Sequence, residues 1–192
     1  MKCKKALQKL KDGNKRFVKS AQINHTVGAK NNSKLVFSQK PYAVVLTCSD
    51  SRVGVNTIFD AKLGDLFIIK NAGNIVDKST LASIEFAIAK LNVKLIMVLS
   101  HQNCGAVKFA KTHPVIKNEK REENFNFLLR QIRTVITDNK DFSTKELTQE
   151  NANHSVESIL EDSLIISEKV AEKTLKIVTG YYKISTGKVV FL

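Results

Sequence analysis

The chain has 192 residues, 43% of them hydrophobic and 26% charged, the profile of one soluble globular domain large enough to bury a core without staples. No run of about eighteen apolar residues occurs, which excludes a membrane span. The 31 basic against 18 acidic residues give a net charge of +13, but the basic residues are scattered lysines with few arginines. There is no arginine-rich tract, no aromatic series interleaved with basic residues and no tryptophan. The charge therefore reads as a solvated lysine surface with weak affinity for polyanions at low salt, and specific nucleic-acid recognition is not expected.

In chain order, residues 3–20 carry Ala6, Leu7, Leu10, Phe17 and Val18 among lysines, the stripe of an amphipathic helix with Gly13 as its weak point. The basic start has no apolar stretch behind it of the kind a secretion signal needs, so a cytoplasmic protein is expected. Residues 21–40 are polar, without a period, and read as a loop or arm. Pro41 opens the strand-like run Tyr42 to Thr47, and Leu66-Phe67-Ile68-Ile69 is a second such run, entered through Gly64-Asp65 and closed by Asn71-Ala72-Gly73-Asn74. Apolar residues between Ser79 and Leu91 fall at helical spacing. Leu95 to Leu99 is a third strand, and residues 125–136 form another amphipathic helix. A further helix is expected over 152–173, followed by two strands, Leu175 to Val178 and Lys188 to Phe191, around a turn at Gly187. Apolar strands alternating with amphipathic helices predict an α/β fold with a mainly parallel sheet covered on both faces. The organisation expected is an N-terminal arm and loop over 1–40 and an α/β body over 41–192, one domain overall.

The chemistry sits where two of those strands end. Cys48-Ser49-Asp50-Ser51-Arg52 follows the first, and His101-Gln102-Asn103-Cys104-Gly105 follows the third. Either motif alone reads as well as a buried thiol and a satisfied core histidine. Together they offer two thiolates and one imidazole, a ligand set for tetrahedral Zn²⁺ with the fourth corner left to water. Three cysteines make an odd count, which argues against a disulfide framework, and Cys3 has no evident partner. Strand C-terminal ends are where open α/β sheets build their sites. Gly105 would permit close backbone approach beside Cys104. Arg52 would hold Asp50 ionised, and Asp50 would accept a hydrogen bond from water on the zinc; Asp50 could equally be the fourth ligand of a closed, water-free site.

These residues resemble the β-class carbonic anhydrase family. The resemblance covers the run from Phe37 through Cys48 to Val53. It continues in order through Ile58-Phe59-Asp60, Gly64 to Phe67, Asn71 to Asn74, Ser83 to Ala87, His101 to Val107 and Tyr182 to Val189. It implies a mainly parallel sheet of four or five strands and zinc held by Cys48, His101 and Cys104. It also implies Asp50 and Arg52 as the catalytic dyad and reversible hydration of CO₂ to bicarbonate by zinc-bound hydroxide. Gln39 and Phe67 stand where the plant-like branch places substrate-lining residues, with Gly105 beside the last ligand. The family is dimeric at minimum, or tetrameric, with active sites at the subunit interface and N-terminal helices wrapped over the neighbour.

Four positions depart from the family's pattern: Lys70, Gly54, Asn56 and Ser100. None is a ligand or part of the dyad, so they are expected to tune the pocket. The missing tryptophan argues against the inhibitory bicarbonate site of one branch. Two other readings fit the same motifs: hydrolysis of COS or CS₂ at the same zinc, and a non-catalytic zinc or redox sensor. His25 and His113 read first as ordinary loop residues and are candidates for a surface proton relay only in the loosest sense.

Overall fold

The computed structural model describes residues 1–24, 35–113 and 119–192. Five strands form one sheet in the order β2-β1-β3-β4-β5, where β1 is Ala43–Cys48, β2 Leu66–Asn71, β3 Leu95–His101, β4 Lys176–Tyr182 and β5 Val189–Phe191. The first four are parallel, and β5 closes the edge antiparallel to β4. All residues of β1 and β3 are buried, as parallel strands covered on both faces must be. Their side chains alternate: Ala43, Val45, Leu95, Met97 and Leu99 face one apolar cluster, and Val44, Leu46, Ile96 and Val98 face the other.

The first cluster is capped by helix α1 (Cys3–Val18) and the short α2 (Val55–Ile58). The second is capped by α3 (Lys78–Ala89), α6 (Thr144–Asp162) and α7 (Leu164–Ala171). Helices α4 (Gly105–Thr112) and α5 (Glu119–Asp138) enclose a third cluster beneath the ends of β1 and β3, in which Cys48 and Cys104 pack with Val107, Leu129, Ile132 and Leu147.

Two expectations, Gly13 as a weak point and a single helix over 152–173, are corrected. Helix α1 packs on its own chain, where Ala6 and Leu10 are fully buried and Asn14 bonds the Gly187 carbonyl and the Val189 N–H. Gly13 is no weak point: a Cβ there would stand 1.8 Å from the Phe59 carbonyl oxygen, so its absence lets α1 meet the α2 turn backbone to backbone. The single helix over 152–173 is two helices. Helix α6 begins earlier, at a capping box in which Ser143 and Glu146 bond each other's backbone N–H. Ser163 then ends α6 and caps α7, its hydroxyl accepting from Ile166 N–H and donating to Glu85.

Candidate metal centre

Strands β1 and β3 are neighbours, and β2 lies on the other side of β1, so the strand order reverses at the β1–β3 boundary. Cys48 is the last residue of β1 and His101 the last of β3, which puts both side chains in the crevice that such a reversal opens. Cys104 follows through a tight turn, with Asn103 in the left-handed region at φ 54°, and immediately precedes α4. One ligand atom from each of Cys48, His101 and Cys104 lies within 4.8 Å of the others, and all three residues are buried.

The donor set fits a tetrahedral ion. The two sulfurs are 3.9 Å apart, and zinc–sulfur bonds of about 2.3 Å at tetrahedral angles put two sulfurs about 3.8 Å apart. The His101 ring is fully buried. Its Nδ1 faces the Gln102 carbonyl at 3.1 Å, and since a carbonyl only accepts, Nδ1 carries the hydrogen. That leaves Nε2 with its lone pair turned inward, and Nε2 is a buried polar atom with no hydrogen-bond partner among the described residues. A buried imidazole nitrogen without a partner, beside two thiols, is the mark of a ligand atom.

The backbone favours negative charge at both sulfurs. Gly73 N–H donates to Cys48 Sγ at 3.3 Å, and Cys104 stands at the N-terminus of α4, against the N–H groups of Ala106 and Val107. The hydrogen bond from Cys104 pushes the Cys48 thiol well down. The same bond, with burial, pushes Cys104 up.

Asp50 and Arg52 form a closed fork beside this cluster. Arg52 Nε donates to Asp50 Oδ1 at 2.9 Å and Arg52 Nη2 to Oδ2 at 2.7 Å, the bidentate geometry of a strong ion pair. Nη2 also reaches the Asn103 carbonyl at 3.2 Å, so one guanidinium ties the Cys48 loop to the Cys104 loop. Bonding to Arg52 holds the Asp50 carboxyl well below the usual carboxylate range, and Asp50 in turn raises Arg52. Asp50 Oδ2 is 3.9 Å from His101 Nε2, outside hydrogen-bond reach.

Other residues singled out in the sequence lie elsewhere. Phe67 pairs in register with Val44, four residues before Cys48 and about 13 Å along the sheet, and its ring packs at 6.4 Å from Phe86. Gln39 is exposed and precedes β1 at the end opposite Cys48. Neither can line the cluster of its own chain. At Gly105 a Cβ would meet nothing within 4 Å among the described residues. Lys70 Nζ donates to the Val53 carbonyl at 2.9 Å, and Ser100 Oγ to the Gly180 carbonyl at 3.1 Å. Asn56 leaves Oδ1 buried without a partner among the described residues, and Gly54 precedes α2. His113 is exposed, stacked on Phe109 with ring centroids 3.9 Å apart; His25 lies outside the described residues. Sequence reasoning missed Gly73 and Asn103. The signal for Gly73 was the Asn71-Ala72-Gly73-Asn74 turn, which closes directly on Cys48.

A family model described as carbonic anhydrase matches residues 43–189, a span that holds the whole cluster. The chain belongs to the β-carbonic anhydrase family. It is 34% identical over 189 residues to carbonic anhydrase 2 of Mycobacterium tuberculosis, covering 96% of this chain and 90% of that one. The carbonic anhydrase of Mycolicibacterium smegmatis is 33% identical over 187 residues, with 96% and 90% covered. Among solved structures it resembles a β-carbonic anhydrase of Sordaria macrospora, one of two described as tetrameric, with TM-score 0.74, 28% identity, and 83% of this chain and 84% of that one covered. The Coccomyxa β-carbonic anhydrase, solved with acetazolamide, gives TM-score 0.74 at 25% identity, covering 94% of this chain and 83% of that one. Membership makes the chain an enzyme of the carbonic anhydrase class, a lyase. The fold expectation stands, with the fifth strand as the antiparallel one.

Proposed function

We propose that the chain catalyses reversible hydration of CO₂ to bicarbonate and a proton, with one zinc ion held by Cys48, His101 and Cys104. The observation that carries this reading is the inward, unpartnered Nε2 of His101 between two buried thiols, in a chain of this family. When bound, zinc supplies a Lewis acid that brings the acidity of water close to neutral pH.

The chain's own groups do the rest. Arg52 keeps Asp50 ionised and fixes the direction of both carboxylate oxygens. Asp50 accepts a hydrogen bond from the reacting water and so turns a lone pair of that water toward the carbon of CO₂. Because Arg52 holds its carboxyl well below the usual range, Asp50 orients the water without retaining its proton, which passes on to buffer. Gly105, next to Cys104 and with no described atom within 4 Å of its Cβ position, faces the substrate in this reading. With both oxygens of Asp50 bound by Arg52, the open form is the one this arrangement supports, with Asp50 as orienting group and not as fourth ligand.

The working unit is a homodimer at minimum, or a tetramer, in the cytoplasm. Val36 and Phe37 are 79% and 89% exposed, next to Gln39 and before β1, an apolar segment that an interface would cover. Gln39 and Phe67 can line a substrate pocket only when a second copy brings them to this cluster. No described helix is long and apolar enough to cross a membrane. Oxygen-18 exchange between labelled CO₂ and water, followed by mass spectrometry, tests the activity. Zinc-loaded protein should accelerate loss of label, and chelator-stripped protein should not. Equal, slow exchange in both would overturn the reading.

A further inference from the structure

Strand β2 ends in the turn Ala72–Asn74, where Gly73 (φ 74°) and Asn74 (φ 48°) both take the left-handed conformation. The glycine is required there, since a Cβ would also stand 2.8 Å from Ile132 Cδ1. This turn aims the Gly73 N–H at the Cys48 sulfur. Gly73 takes this conformation freely and Asn74 tolerates it, so the turn forms locally, and contacts from elsewhere in the chain fix where it sits.

The holding groups lie on α6. Asn151 Nδ2 donates to the Gly73 carbonyl at 2.7 Å, across 78 residues of sequence. One helical turn on, Ser155 Oγ lies 2.9 Å from the Asn74 carbonyl and 2.8 Å from the Asn151 carbonyl, between which its single proton is shared, and Asn74 Nδ2 donates to Ser155 Oγ at 3.4 Å. Asn151 and Ser155 are 2% and 3% exposed, Asn74 is fully buried, and residues four apart share one helix face. Asn151 is the member that grips residue 73 itself, the residue whose N–H meets the sulfur.

We infer that Asn151 is a positioning residue for the metal centre: it fixes the Gly73–Asn74 peptide and, through the Gly73 Cα, the direction of the Gly73 N–H toward Cys48 Sγ, and thereby sets how firmly that sulfur holds the ion. The inference rests on Cys48 being a zinc ligand. A hydrogen bond to a ligating sulfur fixes its position and draws off part of its charge. Losing the brace leaves the Gly73 carbonyl unpaired in a buried site and frees the turn to move.

The test uses the full chain as Asn151→Ala, Asn151→Asp and Ser155→Ala. Zinc affinity is read by chelator competition and the thiolate-to-cobalt charge-transfer band after Co²⁺ substitution. Asn151→Asp keeps the side chain's size but faces the Gly73 carbonyl with an oxygen, so it serves if the alanine variant fails to fold. Both Asn151 variants should bind zinc about tenfold or more weakly and move the cobalt band. Ser155→Ala should lower the melting temperature with a smaller change in zinc affinity. Zinc affinity within about twofold of wild type and an unmoved band in a folded Asn151 variant would overturn the inference, since a merely structural asparagine predicts that result. So would Ser155→Ala weakening zinc as much as Asn151→Ala, which would spread the role over the whole turn. If the unaltered protein binds neither metal, the ligand assignment itself fails, and this result is distinct from the others.

Discussion

Arg52 holds both carboxylate oxygens of Asp50, at 2.9 and 2.7 Å, and spends its remaining reach on the Asn103 carbonyl at 3.2 Å. One side chain thus orients the acid and joins the two loops that carry Cys48 and Cys104. Asp50→Asn tests the first task. An amide cannot accept from both guanidinium nitrogens, and one of its own N–H groups would face Arg52. Zinc content should stay near one per chain while turnover falls at least about tenfold. Near-normal turnover would remove Asp50 from the mechanism.

Cys104→Ala tests the ligand set. Cys104 is fully buried in the cluster that also packs Val107, Leu129 and Ile132. Two remaining ligands hold zinc poorly, and metal binding stabilises the folded chain. Metal analysis after dialysis should find little zinc, with a lower melting temperature. Full zinc occupancy would sink the assignment.

Gly13→Ala separates propensity from packing. Helix propensity alone makes alanine stabilising by about 1 kcal/mol. The Cβ would collide with the Phe59 carbonyl oxygen at 1.8 Å, and backbone cannot swing aside as a side chain can. Overpacking of this kind costs about 1–3 kcal/mol. Urea denaturation should therefore show a net loss of stability. A gain would mean that α1 does not sit on the α2 turn.

Asp60 gives a pH dependence away from the Cys48–His101–Cys104 cluster. Its carboxylate is buried and accepts from Arg16 Nε and from the backbone N–H groups of Ile23 and Asn24. Burial alone would raise its pKa, but those bonds outweigh burial and hold it below the ordinary value. A carboxyl depressed in the folded state adds stability that is present above its unfolded pKa of about 3.9 and lost as pH falls through the folded value. Asp60→Asn should lose about 2–3 kcal/mol at pH 7. The gap to wild type should narrow below about pH 4. A gap that is constant with pH would show that the charge of Asp60 contributes nothing.

The sequence made the sheet and the Cys48–His101–Cys104 cluster legible for one reason. Buried parallel strands are continuous apolar runs, and Cys48 and His101 come directly after two of them, where the sheet fixes side-chain direction. Helix α6 was legible only in part, because its first half carries Thr144, Lys145, Gln149 and Asn153 and shows no apolar stripe until Val156. Its start lay in the Ser143-x-x-Glu146 capping box, a polar signal that hydrophobic period does not register. Gly73, Asn103 and Asn151 were hidden for another reason. Each acts through a backbone atom or on one, and only the fold brings Asn151 to the Gly73 carbonyl or Asn103 to Arg52.

Stopped-flow CO₂ hydration from pH 6.5 to 9, on protein with its zinc content assayed in the same preparation, is the most direct test of the central claim. Fast turnover that rises with pH, and that is lost in zinc-stripped protein, is the predicted result. No turnover at any pH with one zinc bound per chain would contradict it, and would turn attention to COS or CS₂ as substrates of the same cluster.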